Sequence, residues 1–254
     1  MTSPETNTNR TGVLKLWLLN FVANAALLAV AYFWLLLPDA HGWQVGATVF
    51  IAAAAIGSVL WLRAGTLAWF RVAEFRKDAG IWRAYKCSLR YVPALAFWVL
   101  SFAIIAWLLL GLRDYVPQFA VWIRQQFNGG LPPRNIMNDL NWLLLLIVCY
   151  LMPGLWLPIG TTVAASGVHP THLAHSRRVW KRPFYWLWLC LLLGLGIYFP
   201  YKLVWWIPDL QTIRQQVWSM SARFLLAYLV AVTAFIAVVW LAGLFTDRED
   251  PVEL

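Results

Sequence analysis

The chain has 254 residues, of which 61% are hydrophobic and 12% are charged, and its formal net charge is +9. Soluble domains carry about 25% charged residues, so this composition excludes an ordinary soluble fold and indicates that lipid surrounds much of the chain. The 3 cysteines are too few for a disulfide framework, and we expect free thiols.

Six apolar runs are each long enough to cross the hydrocarbon core of a bilayer, which takes about 20 residues of helix. The runs are Leu14–Leu37, Val45–Leu62, Val92–Leu112, Trp142–Ala164, Phe184–Trp205 and Phe224–Phe245. A polar segment, residues 1–12, precedes them and is expected to be a disordered tail, and residues 247–254 form an acidic tail. We therefore predict an all-α membrane protein with a single six-helix transmembrane domain over residues 13–246.

Basic residues indicate the orientation of this domain. They are concentrated between Arg63 and Arg90 and between Gly167 and Pro183. Cytoplasmic loops retain an excess of Lys and Arg, so both segments are predicted to face the cytoplasm, which places both termini inside.

Two short sequences recur and predict an internal repeat. Residues 60–66 (LWLRAGT) return at 155–161 (LWLPIGT), and the tetrapeptide Ile-Arg-Gln-Gln at 123–126 returns unchanged at 213–216. Matching residues in the same order favour three tandem hairpins, over residues 13–66, 67–166 and 167–246. We give the polar tetrapeptide the greater weight, because apolar sequences match by chance.

Amphipathic segments on the outer side are predicted to lie in the interface between lipid and water. Val116, Ala120 and Ile123 share one helical face in the second hairpin, and Ile213 and Val217 share a face in the third. Such stripes are typical of helices in the headgroup plane.

Basic side chains recur at helical spacing in both cytoplasmic segments. They are Arg83, Lys86 and Arg90 in the first segment, and His175, Arg178 and Arg182 in the second. Each cation near the surface of an anionic membrane contributes about 1 kcal/mol of attraction, and the same faces suit an acidic partner protein. The alternative is that these cations only set the topology.

Polar groups within the apolar runs are few. Asn20 and Asn24 lie one helical turn apart in the first run, while Pro153 and Pro158 interrupt the fourth and each remove a backbone hydrogen bond. These four residues mark a candidate membrane cavity, although paired amides also bond to neighbouring helices. The middle of each run lacks Asp, Glu, Lys, Arg and His, which counts against an ion-coupled carrier.

The sequence offers no catalytic constellation, nucleotide-binding loop or cofactor motif. His169, His172 and His175 lie within one cytoplasmic loop at the spacing of a metal site. Pro170 interrupts the first pair, and no carboxylate or cysteine follows nearby to complete a ligand set. We therefore predict no metal, no cofactor and no enzymatic activity.

A basic loop helix leads through a proline into an apolar helix at Ser88–Leu95 and again at Arg178–Phe184. This layout resembles poorly characterised bacterial inner-membrane families with about six helices, including the membrane domains attached to some glycerophosphodiester phosphodiesterases. The resemblance implies an inner-membrane protein and carries no catalytic residue with it.

These patterns predict a non-enzymatic multipass protein of the bacterial inner membrane. We expect it to act as an accessory or scaffold subunit that binds a partner protein or anionic lipid through its basic cytoplasmic helices, with homo-oligomers as a further option and nucleic acid excluded. The alternative is a carrier or flippase for a lipid or another amphipathic molecule, with Pro153 and Pro158 at the passage.

Overall fold

The computed structural model describes residues 4–36, 41–72, 80–127, 132–168, 171–208 and 212–247, with side chains except at 4–10, 127, 171–175, 246 and 247. The α-helices are α1 (Pro4–Leu35), α2 (Gly42–Arg71), α3 (Ile81–Leu89), α4 (Val92–Gly111), α5 (Val116–Phe127), α6 (Pro133–Leu146), α7 (Met152–Ser166), α8 (Thr171–Trp180), α9 (Pro183–Leu193), α10 (Phe199–Trp205) and α11 (Ile213–Asp247). A 3₁₀ turn (Leu112–Tyr115) joins α4 to α5, and π-helical turns join α6 to α7 (Ile147–Leu151) and α9 to α10 (Gly194–Tyr198).

Six helical segments in these ranges are long and apolar enough to cross a membrane, which confirms the prediction of an all-α membrane protein. They are Thr11–Leu35, Gly42–Arg71, Val92–Gln126, Pro133–Ser166, Pro183–Trp205 and Ile213–Phe245. The inward position of both termini stays a prediction.

The six segments form three hairpins around a shared centre. We call the second helix of each hairpin the return helix. The return helices are α2 in the first hairpin, α6 and α7 together in the second, and α11 in the third. The three return helices pack against one another. The first helix of each hairpin packs against its own return helix and against the return helix of another hairpin. α1 contacts α2 and α11, and α4 contacts α7 and α2. α9 contacts α11 and the π-helical turn before α7. This cyclic arrangement is what three related hairpins would produce.

The buried core lies at one end of the bundle, where the return helices finish. Trp69 and Phe70 of α2, Val163 of α7 and Val239 of α11 are almost completely buried there, together with Leu16 near the start of α1. Farther along the spans most large apolar side chains are exposed, as expected for surfaces that face lipid. The well-packed end is the one that carries α3 and the predicted cytoplasmic loops.

One of the two sequence repeats corresponds to a structural repeat. The LWLRAGT and LWLPIGT segments lie in α2 and α7, and residues of both segments meet in the same core cluster. The Ile-Arg-Gln-Gln repeat, by contrast, ends α5 at its first occurrence and begins α11 at its second. The polar tetrapeptide, to which we gave the greater weight, therefore occupies two different structural positions.

Of the two predicted outer interfacial helices, the structure contains one as a separate helix. α5 is a separate helix that packs against α6, with Val116 and Ala120 buried. In the third hairpin, residues 213–223 are the first turns of α11 instead of a separate helix. No proline or glycine interrupts the chain between Ile213 and Leu241, so nothing in the sequence ends a helix there.

The ends of two spans also differ from those expected. α1 begins at Pro4, within the segment expected to be a disordered tail, because proline suits the first helical position, where its missing N–H has no helical partner to lose. α2 continues to Arg71 rather than ending near Leu62. Residues 248–254 of the predicted acidic tail lie outside the described residues.

Candidate functional site

A buried polar cluster joins α1 to α2 at the well-packed end. The Asn20 side chain has 0% exposure, and its Nδ2 donates to the Leu16 carbonyl and to Thr66 Oγ1, both at 3.0 Å. Thr66, also fully buried, donates to the Leu62 carbonyl at 2.8 Å. A threonine oxygen can accept two hydrogen bonds while it donates one, so Thr66 connects several partners at once.

Tyr85 extends this cluster to α3, which lies outside the six spans. Its hydroxyl oxygen is 3.0 Å from Thr66 Oγ1, and its carbonyl accepts a hydrogen bond from Trp61 Nε1 at 2.9 Å. A Cβ atom on Gly65 would lie 2.4 Å from the Tyr85 ring, so only glycine lets the ring approach α2 this closely. Burial raises the pKa of Tyr85 above its ordinary value, which keeps the hydroxyl neutral. α3 is thereby fixed to the bundle by its tyrosine.

Arg63 lies within the second span, which continues beyond the predicted apolar run Val45–Leu62 to Arg71. Its Nη2 donates to Asn24 Oδ1 at 2.9 Å, and its guanidinium carbon lies 4.1 Å from the centroid of the Phe235 ring. Helical side chains lean towards the N-terminus of their helix, so Arg63 extends away from the well-packed end and towards the middle of the span.

The positions of Asn24 and Arg63 along their helices locate this contact. Asn24 lies about 13 Å along α1 from Lys15 and about 16 Å from Leu35 at 1.5 Å per residue. Arg63 itself lies about 12 Å along α2 from Arg71 and about 31 Å from Gly42, so it is nearer the well-packed end of its span. A second bond, from Asn24 Nδ2 to the Asn20 carbonyl at 2.6 Å, holds the amide in place.

The prolines of the fourth span lie near a different seam, by which we mean a line of contact between two helices, here α7 and α9. Pro158 is inside α7 and has no N–H to donate to the Gly154 carbonyl. The Tyr185 hydroxyl of α9 donates to that carbonyl at 2.9 Å. A neighbouring helix thus replaces the lost hydrogen bond, as the sequence led us to expect.

Pro153 is associated with a change of helix geometry. The π-helical turn Ile147–Leu151 ends just before it, and Tyr150 in that turn donates to the Trp186 carbonyl at 2.8 Å. A similar turn, Gly194–Tyr198, precedes Pro200. Turns of this kind commonly absorb an interruption of the helical hydrogen-bond ladder.

The structure places the four residues of the candidate cavity in separate seams: Asn20 and Asn24 with α2, and Pro153 and Pro158 in α7. Two cavities in the described part of the chain lie elsewhere. One, of about 540 Å³, is lined by residues of α10 and α11, and another, of about 470 Å³, by residues that include Arg113 and Asn141. None of the four predicted residues lines either cavity.

The first basic stripe is exposed at the well-packed end. Arg83, Lys86 and Arg90 all face outward, while Ala84 and Ser88 are buried against the bundle with Tyr85. Lys86 Nζ lies 5.9 Å from the centroid of the Trp82 ring. Trp82 is 61% exposed and Leu89 is 56% exposed. The free surface of α3 therefore combines cations with apolar side chains.

The second basic stripe is not a single helical face. α8 ends at Trp180, and Arg182 has extended backbone angles as the residue before α9. The cause is Pro183, because a proline disfavours helical geometry in the preceding residue. Arg178 is exposed, Arg182 lies 5.6 Å from the centroid of the Phe245 ring, and the side chain of His175 lies outside the described residues.

The histidine loop gives no test of a metal site. His169 and the side chains of His172 and His175 are outside the described residues. Among the side chains that the structure does describe, no three His, Cys, Asp or Glu residues form a group that could hold a metal ion.

The fold and these seams define an α-helical multipass membrane protein. No protein-family model matches the chain, and no curated protein or solved structure is detectably similar to it. The resemblance to the families associated with glycerophosphodiester phosphodiesterases therefore stays a prediction.

Three residues of these seams were not found from the sequence. Arg63 was assigned to a cytoplasmic loop, although Leu62, Ala64 and Leu67 around it continue the apolar pattern. Neither Tyr85 nor Tyr185 was predicted as a site residue. The signal for Tyr185 was indirect: a proline inside a helix requires a donor from another helix, without indicating which one.

Proposed function

We propose that this protein is a non-enzymatic accessory protein of the bacterial inner membrane, with both termini in the cytoplasm, that binds anionic lipid headgroups through α3. One observation carries the proposal: α3 is fixed to the bundle through Tyr85 while Arg83, Lys86 and Arg90 stay exposed beside the exposed Trp82. A partner protein with an acidic surface is the other ligand expected from the sequence.

Charge and composition support lipid as the ligand. The sequence between Gly80 and Tyr91 contains no Asp or Glu, so the stripe has no acidic neighbour within its own helix. Three cations at about 1 kcal/mol each give about 3 kcal/mol, which corresponds to about 150-fold enrichment of anionic over zwitterionic lipid. Exposed Trp82 and Leu89 suit insertion at the headgroup level, as in amphipathic surface helices.

The test uses the full chain in nanodiscs that contain phosphatidylglycerol and phosphatidylcholine in equal amounts. Lipid retained after mild detergent extraction is identified by mass spectrometry. The triple variant R83Q/K86Q/R90Q should lose most of the selectivity for phosphatidylglycerol, and selectivity should fall as salt rises.

A charge-matched control is R113Q/R124Q/R214Q, whose cations are exposed at the opposite end of the bundle. Equal loss of selectivity in both variants would show that net charge alone attracts the lipid, which would refute a site on α3. Co-purification of one stoichiometric protein that the α3 variant loses would assign the face to a protein partner instead.

A carrier or flippase for an amphipathic molecule is the second candidate function, and the position of Arg63 within the second span is the observation that favours it. An ionisable group inside a membrane commonly marks a pathway. Transfer of a fluorescent anionic lipid between the leaflets of proteoliposomes would test it. P153A/P158A should slow that transfer and leave lipid selectivity at α3 unchanged, whereas no transfer by the wild-type protein rejects the carrier.

A further inference from the structure

Arg63 is a cation that the surrounding helices do not neutralise. The sequence has no Asp or Glu in residues 6–35, 42–71 or 213–246, which are the parts of α1, α2 and α11 around it. A cation removed from water is costly unless an anion or several hydrogen bonds compensate it. These three segments therefore offer no acidic side chain to Arg63.

The guanidinium has hydrogen-bonding capacity to spare. Of its five N–H donors, one meets Asn24 Oδ1, and within the described part of the chain this is its one hydrogen bond. The Phe235 ring contacts the guanidinium through its π face, which takes up no N–H donor. None of the Arg63 nitrogens is enclosed without a partner, so the remaining donors reach the protein surface. Asn24 and Phe235 fix the group in place and leave an edge for a ligand.

Aromatic rings lie beside Arg63 where α1 contacts α11. Trp17 is stacked on Phe21 at a centroid distance of 5.5 Å, and Phe21 contacts the Tyr228 ring at 5.0 Å. The polar atoms of the seam are already used, since the Tyr228 hydroxyl donates to the Phe21 carbonyl and Trp17 Nε1 donates to Thr233 Oγ1. A ligand here would find one charged group and an aromatic wall.

We propose that Arg63 binds the phosphate of an anionic phospholipid where α2 meets α1 and α11. A guanidinium matches phosphate with two parallel hydrogen bonds and is more weakly hydrated than an ammonium group, so it is the cation suited to this site. The site is separate from the basic face of α3 and does not depend on the function proposed for that face.

The experiment measures lipid binding to the purified full chain in a neutral detergent by native mass spectrometry. Phosphatidic acid and diacylglycerol with the same acyl chains are the probes, because they differ only in the phosphate. The wild-type protein should retain one phosphatidic acid at least tenfold more tightly than diacylglycerol. R63Q should lose this preference, and R63K should keep part of it, because lysine retains the charge without the paired donors.

The variant R113Q/R124Q/R214Q, whose cations are exposed at the opposite end of the bundle, is the charge-matched control and should keep the tightly bound phosphatidic acid. Loss of phosphatidic acid in R83Q/K86Q/R90Q with retention in R63Q would place the lipid on α3 and overturn the proposal, as would equal retention of the two probes by the wild-type protein. Displacement by millimolar inorganic phosphate would assign the site to a free anion and reject the lipid. If R63Q does not remain monodisperse, R63K and the comparison of the two probes on the wild-type protein decide the outcome.

Discussion

The Tyr185 hydroxyl donates a hydrogen bond to the Gly154 carbonyl, the backbone group that Pro158 leaves without a helical partner. Gly154 also permits the contact between the helices, since a Cβ atom there would lie 2.3 Å from the Trp186 ring. A proline, a glycine and a tyrosine from two helices therefore form one structural unit. The proline can stay inside a membrane helix because α9 supplies the missing donor.

Removal of this donor should destabilise the protein in a way that depends on Pro158. Y185F leaves the buried Gly154 carbonyl unpaired and should lower the free energy of unfolding by about 1–2 kcal/mol. In a P158A background the restored N–H bonds to that carbonyl, so Y185F should cost less there. The four proteins of this double-mutant cycle can be compared by unfolding in mixed detergents, monitored by tryptophan fluorescence.

Y150F provides the matched control for this cycle. Tyr150 donates to the Trp186 carbonyl, which lies in an uninterrupted turn of α9 and keeps its helical partner. Its removal should cost less than that of Tyr185. If the effect of Y185F is the same in the wild-type and P158A backgrounds, the hydroxyl does not serve the proline break.

The sequence predicted the six spans because their lengths and apolar composition are properties of local stretches. It did not predict which helices meet, because Tyr185 and Gly154 are 31 residues apart and nothing local joins them. Arg63 shows the same limit: charge alone favours a loop, whereas Asn24 and Phe235 from two other helices allow it within a span. The Ile-Arg-Gln-Gln repeat shows the opposite error, in which an identical sequence lacks an equivalent structural position.

Thr66 is predicted to hold α3 on the bundle. T66V keeps the shape of the side chain and removes the oxygen that pairs with Asn20 and Tyr85, so it should destabilise the fold by about 1–3 kcal/mol. Hydrogen exchange should increase in residues 81–89 before it does in the spans. S58A is the control, because the exposed Ser58 bonds only within α2, to the Ala54 carbonyl. If hydrogen exchange in α3 is unchanged in T66V, Thr66 does not hold this helix on the bundle.

Alkaline pH should weaken the attachment of α3 through Tyr85. Burial raises the pKa of this hydroxyl above its ordinary value of about 10, so the unfolded chain loses the proton before the folded protein does. The stabilisation of the fold by the neutral Tyr85 hydroxyl is therefore complete below pH 10 and is lost as pH rises through the higher pKa of the folded state. Y85F lacks the titratable hydroxyl, so its stability should fall less above pH 10 than that of the wild-type protein. Parallel curves for the two proteins would contradict a buried, neutral Tyr85.

Gly65 and Gly46 allow a test of close helix contact within a single helix. A Cβ at Gly65 would lie 2.4 Å from the Tyr85 ring, and no atom lies within 4 Å of a Cβ at Gly46. G46A should be neutral or stabilise the protein by up to about 1 kcal/mol, because alanine is the better helix former. G65A should destabilise it by about 1–3 kcal/mol, since the ring must move and the bond to Thr66 is disturbed. Melting temperatures in one detergent compare the two variants, and Y85A should relieve most of the cost of G65A. If G65A is as stable as G46A, α3 does not pack on α2 as closely as the structure shows.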